Sequence, residues 1–219
     1  MRHAQVRYFE GVHPEQVVLT EEGRRQAQAA AAALAAVRFD RVLTSGLPRT
    51  LETARIVAPE IAPEEHPALR EIESGDIRGL DAEEVQAMMT SAFRGVVPPE
   101  TQFLGGETIG ALLDRVLPEL DALLADEGWD VVLLVLHGAV NRAILSRAIV
   151  GERMFLGAFE QAPGCVNVLD VGPAGEFIVR AVNHTPYDPV HVDAPRVTTM
   201  EQLWSEYLEA RRQRAASEL

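Results

Sequence analysis

Residues 130–136 read Asp-Val-Val-Leu-Leu-Val-Leu and run straight into His137-Gly138. The run is short and shows no polar residue at alternate places. It therefore predicts a strand covered on both faces, the kind found inside parallel sheets. Helices must then lie on either side of that sheet, and the rest of the chain supplies them. Thr20, with Glu21 and Glu22 behind it, caps an alanine-rich helix over 20–37. Residues 41–44 form a second short strand, and Pro48 opens a helix to about 57. Residues 59–80 hold prolines and glycines and read as loop. Helices follow over 81–93, over 107–125 with a kink expected at Pro118, and over 138–150. Strands over 165–171 and 177–182, joined by Gly172-Pro173-Ala174-Gly175, predict a hairpin. A terminal helix covers 199–214. The expected fold is an α/β three-layer sandwich, with a mostly parallel central sheet flanked by helices.

Composition narrows the function. With 219 residues, 47% hydrophobic and 24% charged, the chain fits one domain over 1–219 with a sizeable core. A net charge of −13 leaves no basic footprint for nucleic acid. An anionic small molecule would need a local cluster of arginines to outweigh that field. Cys165 is the single cysteine, so neither an internal disulfide framework nor a thiolate metal cage is expected. The six histidines lack metal-ligand spacing, and no metal or other cofactor is expected. No signal peptide and no membrane-length apolar run is visible, so a cytoplasmic chain without a membrane partner is the expectation.

Two histidines and two arginines stand at predicted strand ends. A neutral imidazole at His3 can attack phosphorus and split one hard displacement into two easier ones. Taken singly, His3 reads equally as a terminal histidine. Arg2 and Arg49 carry guanidinium forks that match phosphate oxygens. Arg49 follows the strand at 41–44, at the carboxyl edge where α/β proteins bind ligands; alone it could also be a solvated surface arginine. His137 ends the most apolar strand, and Gly138 opens the next helix, whose N-terminus favours anions. A satisfied core histidine is the other reading. Arg142, one turn on, either supports this site or forms a surface ion pair. Glu71 can protonate a leaving alkoxide, with Glu73 as its rival. Met88, Met89, Phe93 and Phe103 read as packing residues or as an apolar wall for a leaving group.

Taken in order, these pieces resemble the histidine phosphatase superfamily, with its phosphoglycerate-mutase-like fold. Arg2-His3-Ala4 resembles the Arg-His-Gly signature, with alanine in third place. Leu19-Thr20 with Gly23, Gln26 and Ala27 resembles its first helix start. Ser45 through Arg49, Thr53 and Ala54 resembles its second element. Leu69 and Glu71 with Gly75 and Gly79 resemble its acid loop, Gly106-Glu107-Thr108 its Gly-Glu-Ser, and His137-Gly138 with Arg142 its second-histidine motif. Single motifs of this kind are weak, but six in order are specific. The resemblance implies His3 as phosphorylated nucleophile, Glu71 as proton donor, and Arg2, Arg49, His137 and Gly138 as the phosphate pocket. It implies a metal-independent phosphatase acting on a small-molecule phosphate monoester, with a cap-like insertion at about 72–108.

Two departures stand out. Family members carry an apolar strand before Arg-His, whereas only Met1 precedes it here. The first strand is therefore expected to be truncated, either by a misassigned start or in fact. Truncation would leave a sheet edge exposed, which would suit a homodimer. Mutases also carry Ser and Asn soon after the signature, where this chain has Gln5-Val6-Arg7-Tyr8-Phe9. That favours a phosphatase, with a mutase-type phosphoryl transferase and a non-catalytic phosphate-binding pseudoenzyme as the alternatives.

Overall fold

A computed structural model of the chain describes residues 1–77, 79–173, 175–192 and 197–217. β1 (Arg41–Thr44) lies between β2 (Glu64–Glu65) and β3 (Val132–Val135) in a parallel sheet. Val42 stands opposite Leu133, and Thr44 opposite Val135. Alternate residues of the apolar run feed two different cores, which is why the run has no polar face. Leu133 and Val135 join Val42, Ala54 and Val57. Leu136 joins Leu112, Val116, Val140 and Ala143, with Leu134 packed against them. Helices α1 (Glu21–Ala33) and α2 (Pro48–Val57) supply the first core. Of the next three helices, α3 (Ala82–Ser91) stands away from the sheet, while α4 (Ile109–Leu124) and α5 (Gly138–Val150) supply the second core. The expected α/β fold, a mostly parallel central sheet flanked by helices, is what these layers form.

Residues 1–3 occupy the place expected for a truncated first strand. The Met1 amine donates to Leu134 O at 2.6 Å. Leu136 N–H donates to Met1 O at 2.9 Å, and His3 N–H to Leu136 O at 2.8 Å. On the other side Arg2 N–H donates to Cys165 O, and Gly164 N–H to His3 O, both at 3.0 Å. The fragment thus connects β3 to the start of an antiparallel hairpin, β4 (Val166–Val171) with β5 (Phe177–His184). Ala174 in the predicted hairpin turn lies outside the described residues.

The loop expected over 59–80 holds more structure than its sequence suggests. Two residues of β2 pair beside β1, and a short 3-10 turn follows over Pro67–Leu69. A two-residue strand is too short to show any alternation. Arg78, in the same loop, lies outside the described residues. The first helix ends at Ala33, four residues early, in a tight turn where Leu34 N–H donates to Ala30 O. α3 starts at a capping box: Asp81 accepts from Glu84 N–H, and the Glu84 carboxylate accepts from Asp81 N–H. The terminal helix α6 (Thr199–Ser217) lies against α3 through Trp204, packed with Val85, Met89 and Leu104. Phe93 stacks on Phe103 with ring centroids 5.4 Å apart and touches Phe155. Met88, Met89, Phe93 and Phe103 all belong to such packing clusters.

Candidate active site

His3 is buried at the end of the three-residue fragment. Its Nδ1 lies 2.8 Å from Ala4 O. A carbonyl only accepts, so Nδ1 carries the proton and Nε2 keeps its lone pair. Tyr8 OH stands 3.3 Å from that Nε2 and donates to it. The loop behind His3 is held by the first helix start. Thr20 N–H donates to Gln5 O at 3.0 Å, and Gln26 Oε1 accepts from Gln5 N–H at 3.0 Å. A Cβ on Gly23 would overlap Gln5 O. Thr53 Oγ1 accepts from Ala4 N–H at 3.1 Å while donating to Arg49 O at 2.7 Å. Thr20, Gly23, Gln26 and Thr53 of the family-like motifs therefore hold the backbone that follows His3.

His137 ends the strand run as the N-cap residue of α5 and is fully buried. Its ring centroid is 5.2 Å from that of His3, so the structure brings the two histidines together. Its Nε2 meets Ser45 Oγ at 2.7 Å. Arg49 lies in the first turn of α2, buried, with Nη1 donating to Pro14 O at 2.8 Å and its guanidinium over the Tyr8 ring. Arg2 Nη1 donates to Gln161 O at 2.5 Å. Gln161 is itself fixed by Asn141 and Asn167. Among the described residues, three buried side-chain nitrogens lack a hydrogen-bond partner: Arg2 Nε, Arg49 Nε and His137 Nδ1. Buried polar nitrogens are normally paired, so a cluster of unpaired ones that includes two guanidinium donors points to an anion. All three side chains act electrostatically on His3 or on one another.

Glu71 crosses to α5 and takes its first N–H groups. Oε2 accepts from Gly138 N–H at 2.9 Å; Oε1 accepts from Ala139 N–H at 3.0 Å and from Ile72 N–H at 3.1 Å. A carboxylate suits a helix N-terminus. The loop that carries Glu71 is clamped from below. Arg115 donates to Ala68 O and Arg70 O, both at 2.7 Å, and pairs with Glu107 at 2.7 Å. Glu107 in turn accepts from Glu73 N–H at 3.1 Å. A Cβ on Gly106 would overlap Glu73 O, while Gly105 has a left-handed backbone with φ +71°. The Glu73 residue itself is exposed, so of the two rival acids Glu71 is the one beside His137. At Gly138 an added Cβ would stand 3.2 Å from Arg142 Nη1, 3.6 Å from Glu71 Oε2 and 3.9 Å from Arg2 Nε. The first distance is tighter than an ordinary contact and would press on the Arg142 guanidinium, while the other two are ordinary van der Waals contacts.

Arg142 is buried, and its Nη2 pairs at 4.0 Å with the carboxylate of the partly exposed Glu160. It donates to Gly138 O and Gly157 O, both at 3.1 Å, and lies over Phe93. Burial lowers its pKa to about 10. Burial, Arg49 and Arg2 hold the His3 pKa well below its usual value of 6.5. Burial and Arg49 do the same for His137, with smaller pushes from His3 and Arg2. Both imidazoles are therefore neutral at pH 7, the state in which one can attack and neither repels the arginines. Among the described residues, no three His, Cys, Asp or Glu side chains come together as a metal site.

The pattern that defines the histidine phosphatase superfamily, branch 1, matches residues 1–184, and the chain belongs to that family. Helix α6 lies beyond the match. The chain is 31% identical over 139 residues to phosphoglycerate mutase-like protein 4 of Arabidopsis thaliana, covering 60% of each protein. It is 29% identical over 163 residues to the adenosylcobalamin/alpha-ribazole phosphatase of Salmonella typhimurium, covering 70% of this chain and 78% of that one. It spans 60% of the first relative's length and 38% of that of a second Arabidopsis thaliana relative. The native structure of a mycobacterial glucosyl-3-phosphoglycerate phosphatase superposes with a TM-score of 0.68, over 83% of this chain and 95% of that one. At 24% identity that likeness speaks for the fold alone. No helix among the described residues is long and apolar enough to cross a membrane.

Proposed function

We propose that the protein hydrolyses a small-molecule phosphate monoester through a phosphohistidine at His3. The observation that carries this reading is the Nδ1 contact of His3 with Ala4 O, which leaves Nε2 unprotonated among buried guanidinium groups, its lone pair held by the Tyr8 hydroxyl until substrate displaces it. Nε2 attacks phosphorus, the ester P–O bond breaks, and Glu71, entering the step as the carboxylic acid, passes its proton to the departing alkoxide and becomes the carboxylate. Water then attacks the phosphorus. Glu71 takes the proton of that water, the N–P bond breaks, and inorganic phosphate leaves. Arg2, Arg49, His137 Nδ1 and the Gly138 N–H offset the charge on the phosphoryl oxygens, which is most of what phosphoryl transfer asks of a protein. The set supplies that neutralisation without calling on a metal.

Hydrolysis is favoured over mutase transfer because Phe9, which stands in the stretch where mutases carry polar residues, is turned to Tyr207 of α6, with ring centroids 5.5 Å apart. We read residues 1–219 as one domain, with the segment from about 72 to 108 as its cap, and place it in the cytoplasm. The test is acid quench of a reaction with a 32P-labelled monoester. Acid-labile label should collect on wild-type protein and be absent from His3→Ala. Turnover by wild type with no labelled protein at any quench time would overturn the proposal.

A further inference from the structure

We infer that Ser45 is a positioning residue that decides which nitrogen of His137 presents a proton to the phosphoryl group; the inference rests on the phosphate-pocket reading above. Ser45 follows β1 at its carboxyl end and is fully buried. Its hydroxyl meets His137 Nε2 at 2.7 Å and Thr50 Oγ1 at 3.1 Å, and accepts from Leu47 N–H at 3.4 Å. Thr50 spends its own proton on Leu47 O, at 2.8 Å. Thr50 can therefore only accept from Ser45, and Ser45 has one proton for two acceptors.

The two choices have opposite consequences. If Ser45 donates to Thr50, His137 must offer Nε2–H to Ser45, and Nδ1 is left with a lone pair. A lone pair facing a phosphoryl oxygen repels it. If Ser45 donates to His137 Nε2, the proton of the neutral ring sits on Nδ1, the buried nitrogen without a partner. That nitrogen then joins Arg2 Nε and Arg49 Nε as a donor to the anion. The ring does not escape the choice by carrying two protons, because burial beside Arg49 disfavours its charged form. Distance favours the second arrangement: 2.7 Å between Ser45 Oγ and His137 Nε2 suits a hydroxyl donor better than an N–H donor, and 3.1 Å between Ser45 and Thr50 is long for an O–H···O bond. Thr50 is the alternative acceptor that lets the hydroxyl turn away.

The experiment is a long-range 1H–15N correlation spectrum of the imidazoles at pH 7.5, without substrate, in wild type, Ser45→Ala and Thr50→Val. Wild type should show His137 with a pyrrole-like Nδ1 and a pyridine-like Nε2. Ser45→Ala should lose that preference and lose roughly 10- to 100-fold in kcat, the scale seen when a ligating group loses its orienting partner. Thr50→Val removes the competing acceptor, so it should keep the wild-type tautomer and stay within a few-fold in kcat. A pyridine-like Nδ1 in wild type, or a Ser45→Ala protein with unchanged tautomer and kcat, overturns the inference. The spectrum needs no turnover. It therefore judges Ser45 even where the labelling test rules out a phosphohistidine.

Discussion

Glu71 holds the Gly138 N–H at 2.9 Å, and so the proposed proton donor rests on the same backbone group that would grip a phosphoryl oxygen. Substrate and carboxylate then compete for one donor, and binding should push Glu71 outward, toward the leaving group. An amide at this place keeps one acceptor oxygen but has no proton to give. Glu71→Gln is expected to slow an alkyl phosphate by about 10²–10⁴, the span of general acid catalysis. Aryl phosphates, whose leaving groups need little protonation, should lose far less. The check is kcat/KM for glycerol phosphate against p-nitrophenyl phosphate; equal losses would move the role to Glu73 or another acid.

Arg49 is anchored by Nη1 on Pro14 O, with Nε buried and unpaired. Arg49→Ala should cost roughly 10²–10³ in turnover, the scale for losing one preorganised donor. Arg49→Lys should recover little of it, because an ammonium cannot reach both partners as a fork does. Steady-state rates within a few-fold of wild type would remove Arg49 from the pocket.

Acid should spare the rate longer than it spares the fold. Because burial and Arg49 depress the His3 pKa, the acid limb of kcat/KM should lie well below pH 6.5. Stability falls in the same direction but at higher pH. The unfolded chain takes up protons at its two ordinary imidazoles near 6.5, while the folded chain does not until lower pH. Their contribution is whole above 6.5 and is lost as pH falls toward the folded values. The thermal midpoint should therefore drop between pH 7 and 5, and His3→Asn should flatten that slope. A midpoint that rises over this interval would contradict the assigned burial.

Gly106→Ala and Gly23→Ala place a methyl group against Glu73 O and Gln5 O. Neither backbone carbonyl can swing aside as a side chain could. Each substitution should destabilise by about 1–3 kcal/mol, the usual cost of forced overpacking. Urea titration reads the loss. Activity should fall with it, since Gly106 backs the Glu71 loop and Gly23 the loop after His3.

Much of the site was legible because its chemistry demands polar residues where strands end. Arg2-His3 and His137 are conspicuous beside apolar neighbours, and the ordered motifs led to the family. The sheet was legible for the related reason that β3 feeds two cores and so cannot alternate. What stayed hidden were the residues that hold others. Ser45 stood inside a quoted motif without a role, because a serine's partner 92 positions away leaves no local trace. Gln161, which fixes Arg2, sits outside every motif. Arg142 could be read as site support or as a surface ion pair, because its burial depends on Phe93 and Gly157, brought in from elsewhere. β2 is too brief for any periodic signal.

The backbone of His3 is tied at once to Leu136 and to Gly164. The proposed nucleophile is thus immobilised by segments more than 130 residues further along the chain. On the ribosome the imidazole would lack one of these ties until Gly164 had emerged. Truncations ending before residue 165 should accordingly yield no phosphate binding at all, rather than a weakened form of it.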